Sequence, residues 1–307
     1  MGRVKRLTPF KDMMEIYYLF ITIVTATFLS ACGKNDESKK QEQQNPIQPV
    51  DKYKIDDQLK SAIEMQLVWA DEFNEGTMVN TANWTYEKGH VRNDEIQYYT
   101  EARSENCRIE GGMLIITGRK EATPYNGTDD ITSASIITNK KQSWQYGRFE
   151  IRAKVPAGNG PWPAFWAKGD GQNTGDGWPK CGEIDIMEYA AKDPKVMIQN
   201  VIYGTGSTTG QWTQQTKKPT SDKAYSDEFH VYSLDWNTRQ LTFAIDNKVT
   251  HVVDMAIISP NPFNQKFSIL LNLALGASTE RTLGGKLDPS CLPVEFRVDY
   301  VRIYQSK

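Results

Sequence analysis

Little in this 307-residue chain points to metal, redox or nucleic-acid chemistry. Histidine occurs three times and cysteine four times, with no Cys/His spacing of the kind that holds zinc. The formal net charge is −2, and no basic run lies outside the N-terminus. The surface therefore lacks the positive excess that a phosphate backbone requires. No amphipathic stretch extends beyond three helical turns, and no strand–helix–strand alternation occurs, which excludes helical bundles and parallel α/β sheets. No apolar run reaches the roughly 20 residues of a spanning helix. Aromatics, by contrast, are plentiful, with eight Trp and fourteen Tyr. Their flat faces suit a packed core and the apolar faces of sugar rings alike.

The N-terminus has the form of an export signal. Arg3, Lys5, Arg6 and Lys11 make a basic region, followed by the short apolar stretch from Ile16 to Phe28. It ends in Leu29-Ser30-Ala31-Cys32, which resembles a bacterial lipobox with Cys32 as the lipidated residue. The expected organisation is a signal peptide over 1–31, a lipidated Cys32 and flexible tether over 32–64, and a folded domain over 65–307. The tether is rich in charge, Gln and Pro, with almost nothing to bury. This pattern predicts an outer-membrane lipoprotein, on the periplasmic side or the cell surface, with membrane contact through Cys32 and a monomer on a tether. Three cysteines then remain, Cys107, Cys181 and Cys291, so at least one is unpaired.

Within the domain, period-two alternation broken by turn residues dominates. Residues 113–117 follow a Gly-Gly turn, and 148–155 alternate charged and apolar side chains up to Pro156. Residues 229–236, 241–245 and 296–304 behave likewise, and Asp246-Asn247 reads as a hairpin turn. The pattern predicts an all-β sandwich of two antiparallel sheets.

The chemistry concentrates in Cys181-Gly-Glu183-Ile-Asp185-Ile-Met187-Glu188-Tyr189. On a strand, Glu183 and Asp185 share one face, and Ile184 and Ile186 the other. Strict alternation would bury Glu188 among apolar groups, at high cost. A β-bulge between Asp185 and Glu188 returns it to the acidic face. Three crowded carboxylates repel one another, and structure alone supplies no reason to collect them, a calcium site or solvated edge strand being the plain alternative. A retaining glycosidase supplies one, since it needs a nucleophile and a general acid about 5–5.5 Å apart. Like-charge neighbours help keep the acid protonated.

The segment Gly182-Glu-Ile-Asp-Ile-Met-Glu-Tyr189 resembles the E-x-D-x-x-E signature of glycoside hydrolase family 16, the laminarinase and β-agarase clan. Further resemblance runs through residues 67–74, 92–100, 146–156, 162–166, 271–276 and 298–304. The resemblance implies a β-jelly-roll sandwich with a concave substrate cleft. It implies Glu183 as nucleophile, Glu188 as general acid/base, and Asp185 as the residue that orients the nucleophile. It further implies Trp162, Trp166 and Trp178 as substrate-binding residues and Asn93 as a sugar-hydroxyl partner, although core packing stays open for each Trp. No cofactor is implied for catalysis, but a structural calcium on Glu72, the Gly112 backbone and Asp299 is. His90, His230 and His251 receive no catalytic role.

One departure leaves the glucan preference open. Asn200-Val-Ile202-Tyr-Gly204 stands where many laminarinase-like members carry a His. The implied activity is endo-hydrolysis of β-1,3-glucan, extending to mixed-linkage β-1,3-1,4-glucan. Alternatives are an agarase- or porphyranase-type galactan hydrolase and a non-catalytic glycan-binding lipoprotein. A sulfate-binding cleft calls for extra Arg or Lys near the acids, and only Lys180 is close in sequence.

Overall fold

The computed structural model describes residues 65–208 and 210–306. The expected signal peptide (1–31), Cys32 and the tether (32–64) lie outside the described residues. Strands are almost the whole of the regular structure in the described chain, the rest of it being three single 3-10 turns. It begins with β1 (Met65–Asp71), β2 (Thr85–Glu87), β3 (Tyr98–Tyr99), β4 (Cys107–Glu110), β5 (Met113–Tyr125) and β6 (Asp129–Ser133). There follow β7 (Ser135–Ile137), β8 (Gly147–Lys154), β9 (Trp162–Gly169), β10 (Glu183–Glu188), β11 (Ile198–Gly204) and β12 (Trp212–Lys217). The last are β13 (His230–Trp236), β14 (Gln240–Ile245), β15 (Lys248–Asp254), β16 (Phe267–Ala274) and β17 (Val294–Ser306).

These strands form the predicted jelly-roll of two sheets. A seven-stranded sheet has the order β12-β11-β10-β9-β16-β7-β2, and a ten-stranded sheet is built around β15-β14-β13-β8-β17-β5-β6-β3. Pairing is antiparallel except between β3 and β6. Every stretch expected as a strand is one. Both predicted tight turns are hairpins whose central residues take positive φ: Gly111 and Gly112 at 61° and 74°, Asp246 and Asn247 at 51° and 63°.

Alternation decides which side chains form the core between the sheets. On β16, Phe267, Ile269, Leu271 and Leu273 point inward, as do Phe149, Ile151 and Ala153 on β8 and Phe296, Val298, Val301 and Ile303 on β17. The opposite face of β16 carries Ser268, Leu270 and Asn272, and that face of the seven-stranded sheet becomes the cleft floor. His230 is a packed strand residue, as expected, with its Nδ1 2.7 Å from Asp246 Oδ2. Cys107, Cys181 and Cys291 are all free thiols.

The donors assigned to calcium are otherwise engaged. Both Glu72 oxygens accept from Arg302, at 2.7 and 2.8 Å, and this pairing holds the Glu72 carboxyl below its ordinary range. Asp299 accepts from Arg152 at 2.5 Å, and Gly112 belongs to the β4–β5 hairpin. Among the described residues no three His, Cys, Asp or Glu side chains are grouped to hold a metal. A calcium ion wants six to eight oxygens, so a site here would draw on backbone carbonyls such as that of Gly112 and on carboxylates that now pair with Arg302 and Arg152.

Candidate active site

Strand β10 carries the predicted bulge. Against β11 its register slips between Asp185 and Glu188, and against β9 between Asp185 and Met187. Ile184, Ile186 and Met187 all enter the core, each fully buried. The extra residue lets Glu188 rejoin Glu183 and Asp185 on the cleft face. Gly182 immediately precedes Glu183 with φ of 77°, a conformation that glycine reaches without strain.

Three rows of side chains cross the cleft floor on β16, β9 and β10. Asn272, Ala164 and Glu188 form the first, and Leu270, Trp166 and Asp185 the second. Ser268, Lys168 and Glu183 form the third. A cavity of about 650 Å³ opens over them, and all three carboxylates line it.

The three acids occupy different environments. Burial raises the Asp185 pKa well above the carboxylate range, helped by the charges of Glu188 and Glu183 and by a hydrogen bond to Glu183. In that hydrogen bond Asp185 is the donor and Glu183 the acceptor. Burial also raises Glu183, and Lys168, Arg92 and donors on Asp185 and Trp178 offset only part of that rise. Glu188 is pushed up to about 8 by burial and by the charges of Glu183 and Glu95, with only the Trp162 indole opposing. Glu188 is thus the carboxyl held protonated near neutral pH, while at Glu183 cations and donors offset part of the rise that burial causes.

The predicted binding residues all line this cavity, with roles more polar than simple stacking. Trp162 Nε1 donates to Glu188 Oε1 at 3.1 Å. Trp178 donates to Glu183 and packs 5.5 Å from Trp212, tilted by 55°. Trp166 is only 8% exposed, clusters with Ile137, Ala164 and Leu270, and donates to Asn272 Oδ1 at 2.8 Å. It is chiefly a packed floor residue. Asn93, in the left-handed region at φ 59°, donates to Glu95 Oε1 at 3.1 Å. None of the three histidines lines the cleft.

Several cleft residues escaped the sequence reading, among them Arg92, Glu95, Lys168 and Trp212. Lys168 continues the face that carries Trp162, Ala164 and Trp166, so alternation along β9 could have found it. Trp212 and Gln214 share a face of β12 for the same reason. Arg92 and Glu95 lie in a loop between strands, where no periodicity announces direction. Lys180 does not line the cleft, so the cations beside the acids are Arg92 and Lys168. Ile202, within the segment that departs from the expected His pattern, sits opposite Glu183 in register.

Residues 78–290 match the model of the Glycosyl hydrolases family 16. The chain is 38% identical over 263 residues to a beta-glucanase of Rhodothermus marinus, covering 81% of this chain and 88% of that protein. It is 33% identical over 253 residues to a glucan endo-1,3-beta-glucosidase of Cryptopygus antarcticus, covering 77% and 90%. Among solved structures, the laminarinase from Rhodothermus marinus superposes with a TM-score of 0.71 at 36% identity, covering 79% of this chain and 98% of that one.

Proposed function

The chain belongs to glycosyl hydrolases family 16, and on that premise we propose that it is a retaining endo-β-glucanase cutting β-1,3-glucan, with mixed-linkage β-1,3-1,4-glucan as a second substrate. The bulge on β10 carries this reading, because it puts Glu183, Asp185 and Glu188 on one cleft face. Glu183 attacks the anomeric carbon while the Glu188 proton passes to the departing glycosidic oxygen. Asp185 steadies the nucleophile through its hydrogen bond. Glu188, now a carboxylate, takes a proton from water, which displaces Glu183 and restores the original configuration. Similarity to the beta-glucanase and the endo-1,3-beta-glucosidase supports the choice of glucan.

Product analysis of residues 61–307 against laminarin, barley β-glucan, agarose and porphyran tests the reading. Short oligosaccharides from laminarin are expected, and the barley digest reports on mixed linkages. Products from a galactan alone would overturn the substrate, and binding without products would favour a glycan-binding protein.

The lipid anchor is proposed on sequence grounds: a basic region, a short apolar stretch and Leu29-Ser30-Ala31-Cys32 before a polar tether. Growth with radiolabelled palmitate should label the wild type and leave Cys32→Ser unlabelled; label on both would refute lipidation at Cys32.

A further inference from the structure

We propose that Lys168 and Glu95 are opposed electrostatic positioning residues, Lys168 holding Glu183 as the anion and Glu95 holding the proton on Glu188. The inference rests on the roles of Glu183 and Glu188 given above.

Register supplies the first half. Lys168 is the direct cross-strand partner of Glu183 on the cleft face, in the third row. Its ammonium lines the cavity and makes no ion pair of its own among the described residues. Arg92, the other cleft cation, lies with its Cζ 5.1 Å from the Trp166 ring centroid, over the second row, and is already paired with Glu87. The first row, which holds Glu188, contains no cation.

The second half comes from a chain of hydrogen bonds whose direction is fixed by its first member. An indole N–H only donates, so Trp166 makes Asn272 Oδ1 an acceptor, 2.8 Å away. Asn272 must then offer its amide NH2 to the Tyr99 hydroxyl at 3.1 Å. Tyr99 in turn gives its own proton to Glu95 Oε2 at 3.2 Å. Gln97 Nε2 and Asn93 Nδ2 also point donors at Glu95, at 2.7 and 3.1 Å. Burial pushes the Glu95 carboxyl up, and Arg92 together with these three donors opposes that by favouring its charged form. The loop bearing it is docked on the end of β16, with Ile96 N on Gly276 O and Leu275 N on Gln97 Oε1. Asn272, the middle of the chain, shares its row with Glu188.

The groups facing each acid are therefore unlike. Glu183 meets Lys168, Arg92, Asp185, Glu188, the Cys181 thiol and the Trp178 N–H. Glu188 meets Glu183, Asp185, Glu95 and the Trp162 N–H. Cations lie on the nucleophile's side and an additional anion lies on the proton donor's side. That division separates two carboxyls that burial alone would raise together.

The test is a pH titration of the full-length protein carrying 13C at glutamate Cδ, for wild type, Lys168→Met, Lys168→Arg and Glu95→Gln, alongside kcat/KM on laminarin. Removing the cation should raise the Glu183 midpoint and move the acid limb of the profile upward by about half a pH unit or more. Lys168→Arg should restore it. Removing the Glu95 charge should lower the Glu188 midpoint and move the basic limb downward, leaving the acid limb in place. Unmoved midpoints, or both limbs shifting together in either variant, would overturn the proposal. The titration needs no substrate, so absence of laminarin hydrolysis would count against the proposed function and still leave this assignment decided. Should Glu95→Gln not fold, the Met and Arg variants at 168 decide the cationic half, and Glu95→Asp, which keeps the charge but withdraws it by one methylene, decides the anionic half by lowering the Glu188 midpoint while the Glu183 midpoint stays in place; an unmoved Glu188 midpoint would overturn that half.

Discussion

At the scale of single residues, the site trades stability for chemistry. Glu188 sits at about 8, well above its ordinary value of 4.5. A carboxyl raised on folding stabilises the fold fully below its unfolded value and loses that contribution as pH rises through the folded one. Glu188→Gln, which stays neutral, should match the wild type near pH 4.5 and exceed it at pH 8–9. After discounting for the partial exposure of Glu188, the gain is on the order of 2 kcal/mol. Urea unfolding at the two pH values measures it, and an equal gap at both would contradict the pKa direction. Glu188→Ala should lose about 10²–10⁴-fold of its turnover on polysaccharide. Azide should restore cleavage of an activated aryl β-glycoside, with a β-glycosyl azide as product; an α-azide would contradict retention. The acids were legible because carboxylates crowded on a strand have no structural excuse. The polar work of the tryptophans was not, because a Trp in sequence shows its ring and hides the partner of its N–H.

At the scale of elements, the bulge on β10 was legible because regular alternation fails there: it would drive Glu188 into the core. The structure resolves the conflict by sending both Ile186 and Met187 inward. Deleting Ile186 should restore strict pairing, turn Glu188 toward the core and cost more than 100-fold in laminarin turnover, together with a lower urea midpoint. A deletion variant with a near-normal rate would show that the bulge does not aim the acid. Lys168 obeys the same period-two rule along β9, two residues beyond Trp166 on the same face. The loop over 92–97 is different. Asn93 and Asp94 take positive φ, at 59° and 52°, and reverse side-chain directions that no alternation could have traced. Glu72 and Asp299 illustrate the opposite limit. Their residue types suit calcium, and in the structure each also pairs with an arginine far from it in sequence, Glu72 with Arg302 and Asp299 with Arg152, partners that no local pattern announces.

At the scale of the whole molecule, the cavity crosses the entire seven-stranded sheet. Its lining begins with Trp212 and Gln214 on the edge strand β12, passes through β11, β10, β9, β16 and β7, and reaches Glu87 on the opposite edge strand β2. Seven strands spaced about 4.8 Å apart span roughly 29 Å, long enough for several sugar rings to lie on either side of the cut. Contacts at the edges belong to distant units of the polymer, so they favour chains that extend past both edges over chain ends. Laminarin viscosity should therefore fall steeply while few reducing ends have been released; a single small product accumulating from the start would indicate cutting from one end. Trp212 stands two strands from β10, where a sugar held by its ring face would contribute binding shared equally by ground and transition states. Trp212→Ala should accordingly raise KM on the polymer by about 3–10-fold with a smaller change in kcat, and leave the shortest cleavable oligosaccharide nearly unaffected. An equal loss on short and long substrates would instead place Trp212 in support of Trp178 and the nucleophile.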